Sequence, residues 1–144
     1  MDKKPTLMAV MTPFPYSVKL DSLFSYAKNL MQQHKVNHLP VMEGAEIIGV
    51  ITSRDLRSRK KLQLNNEDKS KLRVKDAYIS VPYVVDIHQP LEDVLLTMAN
   101  KHHNSALVTK NKKLVGIFTY IDVCRYFGEY LKNKYSSPEN NDAA

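Results

Sequence analysis

Two stretches of this sequence decide its fold: Gly49-Val50-Ile51-Thr52-Ser53-Arg54-Asp55 and Gly116-Ile117-Phe118-Thr119-Tyr120-Ile121-Asp122. Each reads as a strand ending in threonine, two intervening residues, and an aspartate in the first turn of a helix. They stand 67 positions apart, and the same offset aligns residues 7–56 with 74–123 without a gap. Nine pairs are identical: Pro15/Pro82, Tyr16/Tyr83, Val18/Val85, Met31/Met98, Asn37/Asn104, Val41/Val108, Gly49/Gly116, Thr52/Thr119 and Asp55/Asp122. Others exchange one apolar residue for another, as at Leu20/Ile87, Phe24/Leu91, Ile47/Leu114, Ile48/Val115 and Leu56/Val123. Identities and apolar exchanges at one offset mark an internal duplication.

Working outward, each copy has the same coarse pattern. Residues 16–20 and 83–87 are short and β-rich. A helix follows, with Leu23, Phe24, Ala27, Leu30 and Met31 on one face, matched by Leu91, Val94, Leu95 and Met98. Asp21-Ser22 and Pro90 suit the entries to these helices. Hairpins come next: His38–Met42 with Ile47–Thr52 around Glu43-Gly44-Ala45, and Ser105–Thr109 with Leu114–Thr119 around Lys110–Lys113. The last helix of the second copy carries Val123, Phe127, Tyr130 and Leu131 at helical spacing. The expected architecture is therefore α/β, two β-α-β-β-α units packed about a pseudo-twofold axis. The first repeat spans 1–61, a polar exposed linker 62–73, the second repeat 74–135, and a flexible tail 136–144. A copy of roughly 50 residues cannot bury enough apolar surface alone. Two packed together can, and their junction forms clefts of the kind small ligands occupy.

The bulk composition narrows the classes. The chain has 144 residues, 43% hydrophobic and 25% charged, which fits one globular domain or two small ones. No apolar run reaches the roughly 18 residues of a membrane span. The start, Met-Asp-Lys-Lys-Pro, lacks a secretory pattern, so a cytoplasmic location is expected. Cys124 is the single cysteine and sits in an apolar stretch of the last helix, which reads as core. The formal charge of +6 has two readings, an anionic partner or plain solubility.

The repeated Thr-x-x-Asp also has two readings. As a capping box, the threonine caps the helix and the aspartate returns a bond to the cap residue. As a ligand site, the helix start and the threonine hydroxyl hold a phosphate, and the carboxylate accepts hydrogen bonds from ribose hydroxyls. Both readings use the same geometry.

The duplicated ending, the strand entry Lys35-Val36-Asn37-His38-Leu39-Pro40-Val41 and the tandem order together resemble a pair of cystathionine-β-synthase (CBS) domains, the Bateman module. The resemblance covers about residues 7–131. It implies sites shared across the pseudo-twofold, where the threonine and aspartate of one copy face the strand entry of the other. One pocket would use Thr119 and Asp122 with Thr12, Tyr16, Ser17, Val36, Asn37 and His38. The other would use Thr52 and Asp55 with Ser80, Tyr83, Val84, His103, Asn104 and Ser105. The first keeps the family's Leu39-Pro40, and the second departs with Ala106-Leu107. The resemblance further implies a regulatory module that binds AMP, ADP, ATP, S-adenosylmethionine or a cyclic dinucleotide, requires no cofactor and forms a disc-like homodimer. Its output would pass to an effector protein or through oligomerisation.

The remaining residues fit no enzyme. No Ser-His-Asp set, phosphate-cradling loop or paired carboxylates is visible, and His34, His38, His88, His102 and His103 show no metal-ligand spacing. The basic run Arg54, Arg57, Arg59, Lys60 and Lys61 has three readings: a solvated helix face, a polyphosphate clamp with Arg54 and Arg57 as phosphate contacts, or a nucleic-acid contact. No aromatic residues interleave with it as a stacking platform requires. The alternatives to a sensor are a ligand-free dimerisation module and a nucleic-acid-binding protein.

Overall fold

Why two fifty-residue copies make one stable body is answered by where each copy begins. The computed structural model describes residues 3–60 and 66–136. The chain starts with a short helix α1 (Leu7–Val10) and strand β1 (Thr12–Pro13). The body of the first copy follows: α2 (Phe24–His34), β2 (His38–Glu43), β3 (Glu46–Thr52) and α3 (Ser53–Lys60). After α4 (Asn66–Ser70) and a 3-10 turn (Val74–Asp76) come β4 (Val84–Asp86), α5 (Leu91–Lys101), β5 (Ser105–Lys110), β6 (Lys113–Thr119) and α6 (Tyr120–Tyr135).

The body of each copy is a hairpin joined by a parallel neighbour. β5 and β6 pair antiparallel, and β4 lies parallel to β5 with Val85 opposite Val108. In the first copy β2 and β3 pair antiparallel, and Val18 bridges Val41 in parallel. Both pairs differ by the offset of 67. The hairpins also share a register shift, between Val41 and Met42 and between Val108 and Thr109. Turn chemistry differs locally. Gly44 alone has positive φ in the first hairpin, whereas Asn111 and Lys112 both do in the second, the pattern of a type I′ turn. Lys35 and His102, again equivalent, end α2 and α5 in the left-handed conformation.

The leading segments cross over. β1 pairs antiparallel with β6 of the second copy, and Ser80 exchanges backbone hydrogen bonds with Val50 of β3 in the first. Leu7 is buried in the core built from Val85, Leu91, Val94, Met98, Ala106, Val108 and Phe118. Its equivalent, Val74, is buried among Val18, Phe24, Ala27, Met31, Leu39, Val41, Ile51 and Leu56. Each copy therefore plugs the other's core. A third cluster, Val50, Leu107 and Ile117 with Ile47 and Leu114 packed on it, joins the two sheets. It holds two equivalent pairs, Val50/Ile117 and Ile47/Leu114, as a pseudo-twofold axis requires.

Three expectations change. Asp21-Ser22 does not cap α2: the cap residue is Leu23, which makes no side-chain cap bond, and the Ser22 hydroxyl accepts from the Lys19 amide. The Phe24 amide is satisfied instead by the Leu72 carbonyl, delivered by the segment entering the second copy. The stretch read as a plain polar linker carries α4 over Asn66–Ser70, while residues 62–65 and most of the tail, 137–144, lie outside the described residues. Cys124 is exposed rather than core. On α6 only the first-turn Asp122 is fully buried, and Tyr120, Ile121, Tyr126, Phe127, Leu131 and Tyr135 stay exposed, so apolar character there does not mean burial.

The crossing explains the repeated glycine. A Cβ on Gly49 would strike the Ile79 side chain and approach the Ser80 carbonyl oxygen to 2.7 Å, whereas the three atoms nearest to one on Gly116 all belong to the Met11 side chain. Backbone cannot swing aside as a thioether can. Gly49→Ala should therefore lower unfolding free energy by about 1–3 kcal/mol and Gly116→Ala by less. Urea denaturation of the two variants checks the order.

Candidate functional site

Both Thr-x-x-Asp segments are capping boxes. The Thr119 amide donates to Asp122 Oδ2 at 2.9 Å, and the Thr119 side chain accepts from the backbone of the third helical residue. In the first copy the Thr52 amide and hydroxyl both donate to Asp55 Oδ2 at 2.9 Å, and the Asp55 amide donates to Thr52 Oγ1 at 3.1 Å. Each box fixes a hydroxyl and a carboxylate at a helix N-terminus, where the unpaired amides carry partial positive charge.

The surroundings of the two boxes differ. At Asp122, Thr12 from the crossing segment donates its hydroxyl to Oδ1 at 3.1 Å, and the Arg125 guanidinium stands 3.8 Å away. Residue 79, the equivalent of Thr12, is isoleucine, so Asp55 receives no such bond. Among the described residues Asp55 Oδ1 has no hydrogen-bond partner. Asp122 is 7% exposed, and Asp55 is only half-buried.

A cleft of about 200 Å³ opens beside the first box. Its walls include Thr52, Ser80, Tyr83, His103, Asn104 and Ser105, six of the eight residues expected for that pocket. Val84 and Asp55 are not in the walls. The cleft lies between copies because Ser80 reaches β3 by the crossing, while residues 103–105 enter β5 from the end of α5. Sequence reasoning missed His102 as a lining residue, and it placed His38 in the opposite pocket. His38 lines this cleft because it pairs across the hairpin with Thr52. The turn alone could not show this: two residues at Gly44-Ala45 would set residue 38 opposite 51, and the register shift between Val41 and Met42 moves it opposite Thr52. Burial lowers the pKa of the His38 imidazole from its ordinary value, and the nearby Asp55 carboxylate opposes that shift. Tyr83 stacks on His103 with ring centroids 4.8 Å apart.

The other expected set is only partly assembled. Thr12, Thr119 and Asp122 meet as described. Tyr16 stacks on His34 at 3.7 Å, Ser17 is exposed, and Asn37 accepts the Ser53 amide through its backbone and the Ser53 hydroxyl through its side chain. Val36 and Asn37 line a different groove, of about 1040 Å³, floored by Phe24, Met31, Leu56 and Leu72. Arg57 lines that groove with Lys28, Lys35 and Lys69, so it does not reach the Thr52 cleft. Arg54 is exposed and lines neither cavity; the side chains of Arg59 and Lys60, and Lys61, lie outside the described residues. Among the described residues no three His, Cys, Asp or Glu side chains gather to hold a metal ion, and no helix is long and apolar enough to cross a membrane.

The family model described as "CBS domain" matches residues 7–61 and again 74–129. The chain belongs to the CBS domain family. It is 32% identical over 110 residues to the uncharacterised Bacillus subtilis protein YlbB, covering 75% of this chain and 72% of that one. Among solved structures, a putative acetoin utilization protein (AcuB) from Vibrio cholerae superposes with a TM-score of 0.77 at 18% identity, covering 94% and 98% of the two chains. The CBS domain pair of protein MJ0100, in complex with 5-methylthioadenosine and S-adenosyl-L-methionine, gives 0.75 at 20% identity, covering 89% and 99%. These likenesses show that the chain has the fold of a tandem CBS pair.

The two boxes predict unequal contributions to this CBS pair. Asp122→Ala removes a buried carboxylate that serves the helix cap and the Thr12 hydroxyl, and should cost about 1–2 kcal/mol. Asp55→Ala removes the cap alone and should cost about 0.5–1 kcal/mol. Parallel urea titrations of the two variants measure the difference.

Proposed function

We propose that this CBS pair, with repeats over 1–61 and 74–135, is a regulatory module that binds an adenine nucleotide or related adenosyl ligand in the cleft at Thr52. The observation that carries this reading is convergence. Residues from the crossing segment, from the start of β5 and from the end of β3 form one cleft beside a capped helix start. The cleft has hydroxyls at Thr52, Ser80 and Ser105 and an aromatic face at Tyr83, which suit a ribose and a stacked base. Asp55 is outside the walls, behind Thr52, and on this reading the ribose hydroxyls reach past Thr52 to its Oδ1, which the capping box leaves without a partner among the described residues. That a solved CBS pair of the same fold holds 5-methylthioadenosine and S-adenosyl-L-methionine supports the ligand class. At the second site, Thr119 and Asp122, a ligand hydroxyl must share Oδ1 with the Thr12 hydroxyl or displace it. No catalytic role is assigned.

Ligand in the Thr52 cleft touches both copies, so binding changes their relative packing, and a homodimer or an effector protein reads that change. Exposed Tyr126, Phe127 and Leu131 on α6 with Leu96 on α5 support self-association.

Two outcomes follow. In calorimetric titration with AMP, ADP, ATP and S-adenosylmethionine, Asp55→Asn should weaken whichever ligand binds by about ten- to a hundredfold, because one acceptor oxygen becomes a donor. Asp122→Asn should change affinity by less, and equal affinities in all three proteins would leave Thr-x-x-Asp as a cap alone. In light scattering at about 50 μM, the chain should show twice its own mass, and Phe127→Glu should return it to the monomer.

A further inference from the structure

Resting on that reading of the Thr52 cleft, we infer that the cleft accepts a phosphorylated ligand only by taking up protons on its histidines, so that ligand choice depends on pH. The chain as a whole carries 21 lysines and arginines. None of them is among the described residues that line the cleft, and neither is any aspartate or glutamate. The groups in its walls that can become cationic are His38, His102 and His103. Lys101, beside His102, and Arg54, two residues after Thr52, are the permanent cations nearest in sequence, and neither lines the cleft; Lys35 and Arg57 line the separate groove between α2 and α3.

A phosphate entering such a cleft loses part of its hydration and meets hydroxyls, an amide and imidazoles. Uncompensated anionic charge is costly to desolvate, and imidazole is the side chain whose ordinary pKa lies where a modest field changes its charge. The groups around these imidazoles are few. His38 faces Thr52 across the hairpin and feels the Asp55 carboxylate from α3. His103 is covered by the Tyr83 ring from the crossing segment. His102 occupies the left-handed position that ends α5. Burial lowers the His38 imidazole pKa from its ordinary value, against the opposing effect of the Asp55 carboxylate. A bound phosphate adds a second negative neighbour to Asp55 and raises the imidazole pKa. Phosphate affinity is then fully developed below the pKa of the empty cleft and is lost as pH rises through the raised pKa of the complex. An adenosyl ligand without phosphate, such as 5-methylthioadenosine, brings no such charge and binds with little dependence on pH.

The test is calorimetric titration of the full chain with AMP and with 5-methylthioadenosine at about pH 6, 7 and 8, each in two buffers of different ionisation heat. AMP should bind at least about tenfold tighter at pH 6 than at pH 8. Net proton uptake at pH 7 should come from the protein, since the ligand phosphate with its second pKa near 6 is then mostly a dianion. Affinity for 5-methylthioadenosine should stay within about twofold across the range. The double variant His38→Gln, His103→Gln, checked for folding by its melting curve, should take up fewer protons with AMP and flatten the profile. AMP binding that is flat with pH and exchanges no protons overturns the inference, as does binding of 5-methylthioadenosine with AMP bound at no pH. Failure of both ligands at every pH, together with ADP, ATP and S-adenosylmethionine, removes the ligand-binding reading itself, and this inference with it.

Discussion

The exchange of leading segments is the constraint on which the rest of the molecule depends. Leu7 and Val74, equivalent by the repeat, are 1% and 0% exposed, each in the core of the copy it does not belong to. Complete burial of such a side chain contributes roughly 1.5–3 kcal/mol, a large part of the margin of a small domain. Neither core is closed by its own copy, so the two fold as one cooperative body. The exchange also sets local requirements. The incoming backbone around Ser80 lies so close to β3 that a side chain at position 49 forces one of the two to shift, and the amide that opens α2 is satisfied by Leu72 rather than by a capping side chain.

The same crossing puts the cleft where it is. The segment that delivers Val74 to the first core continues through Ser80 to Tyr83, and these residues become one wall. The opposite wall comes from the end of α5 and the start of β5. Any occupant therefore bridges parts that are held together by the packing of the two copies and by the crossing segment, which bonds to Val50 through Ser80 and to Leu107 through Tyr83. The shared cluster at Val50, Leu107 and Ile117 is apolar and small. That cluster contributes no hydrogen bonds of its own, so the polar ties between the copies are those of the crossing segments, at β1 with β6 and at Ser80 with Val50.

Much of this was legible in the residues alone, for a simple reason. The offset of 67 carries helix faces, hairpin registers and the Thr-x-x-Asp ends, all of which are local patterns with a period. The helix-ending Lys35 and His102 and the shared register shift after Val41 and Val108 show how closely backbone follows repeat. What was not legible came from contacts between segments distant in sequence. The Leu72 carbonyl at α2, the plugging of each core by the other copy, and the α4 turn at 66–70 have no periodic signature. The fate of α6 was hidden for another reason: periodicity reports an apolar face, as at Phe127 and Leu131, but not whether the chain has anything to lay against it.

The two capping boxes show how identical motifs acquire different chemistry. A carboxylate offers about four lone-pair directions, and a capping box engages one oxygen. At Asp55 both contacts from Thr52 fall on Oδ2, leaving Oδ1 with its acceptor capacity. At Asp122 the crossing segment supplies the Thr12 hydroxyl to Oδ1, with Arg125 beyond it. A ligand hydroxyl arriving at Asp55 makes a new bond, whose net worth to a charged acceptor is roughly 1.5–3 kcal/mol. One arriving at Asp122, a carboxylate only 7% exposed, must crowd onto Oδ1 beside the Thr12 hydroxyl or displace it and gain only the difference between two hydroxyl donors. The motif sets the carboxylate, and the residue facing it across the pseudo-twofold, threonine at 12 or isoleucine at 79, sets what that carboxylate can still accept.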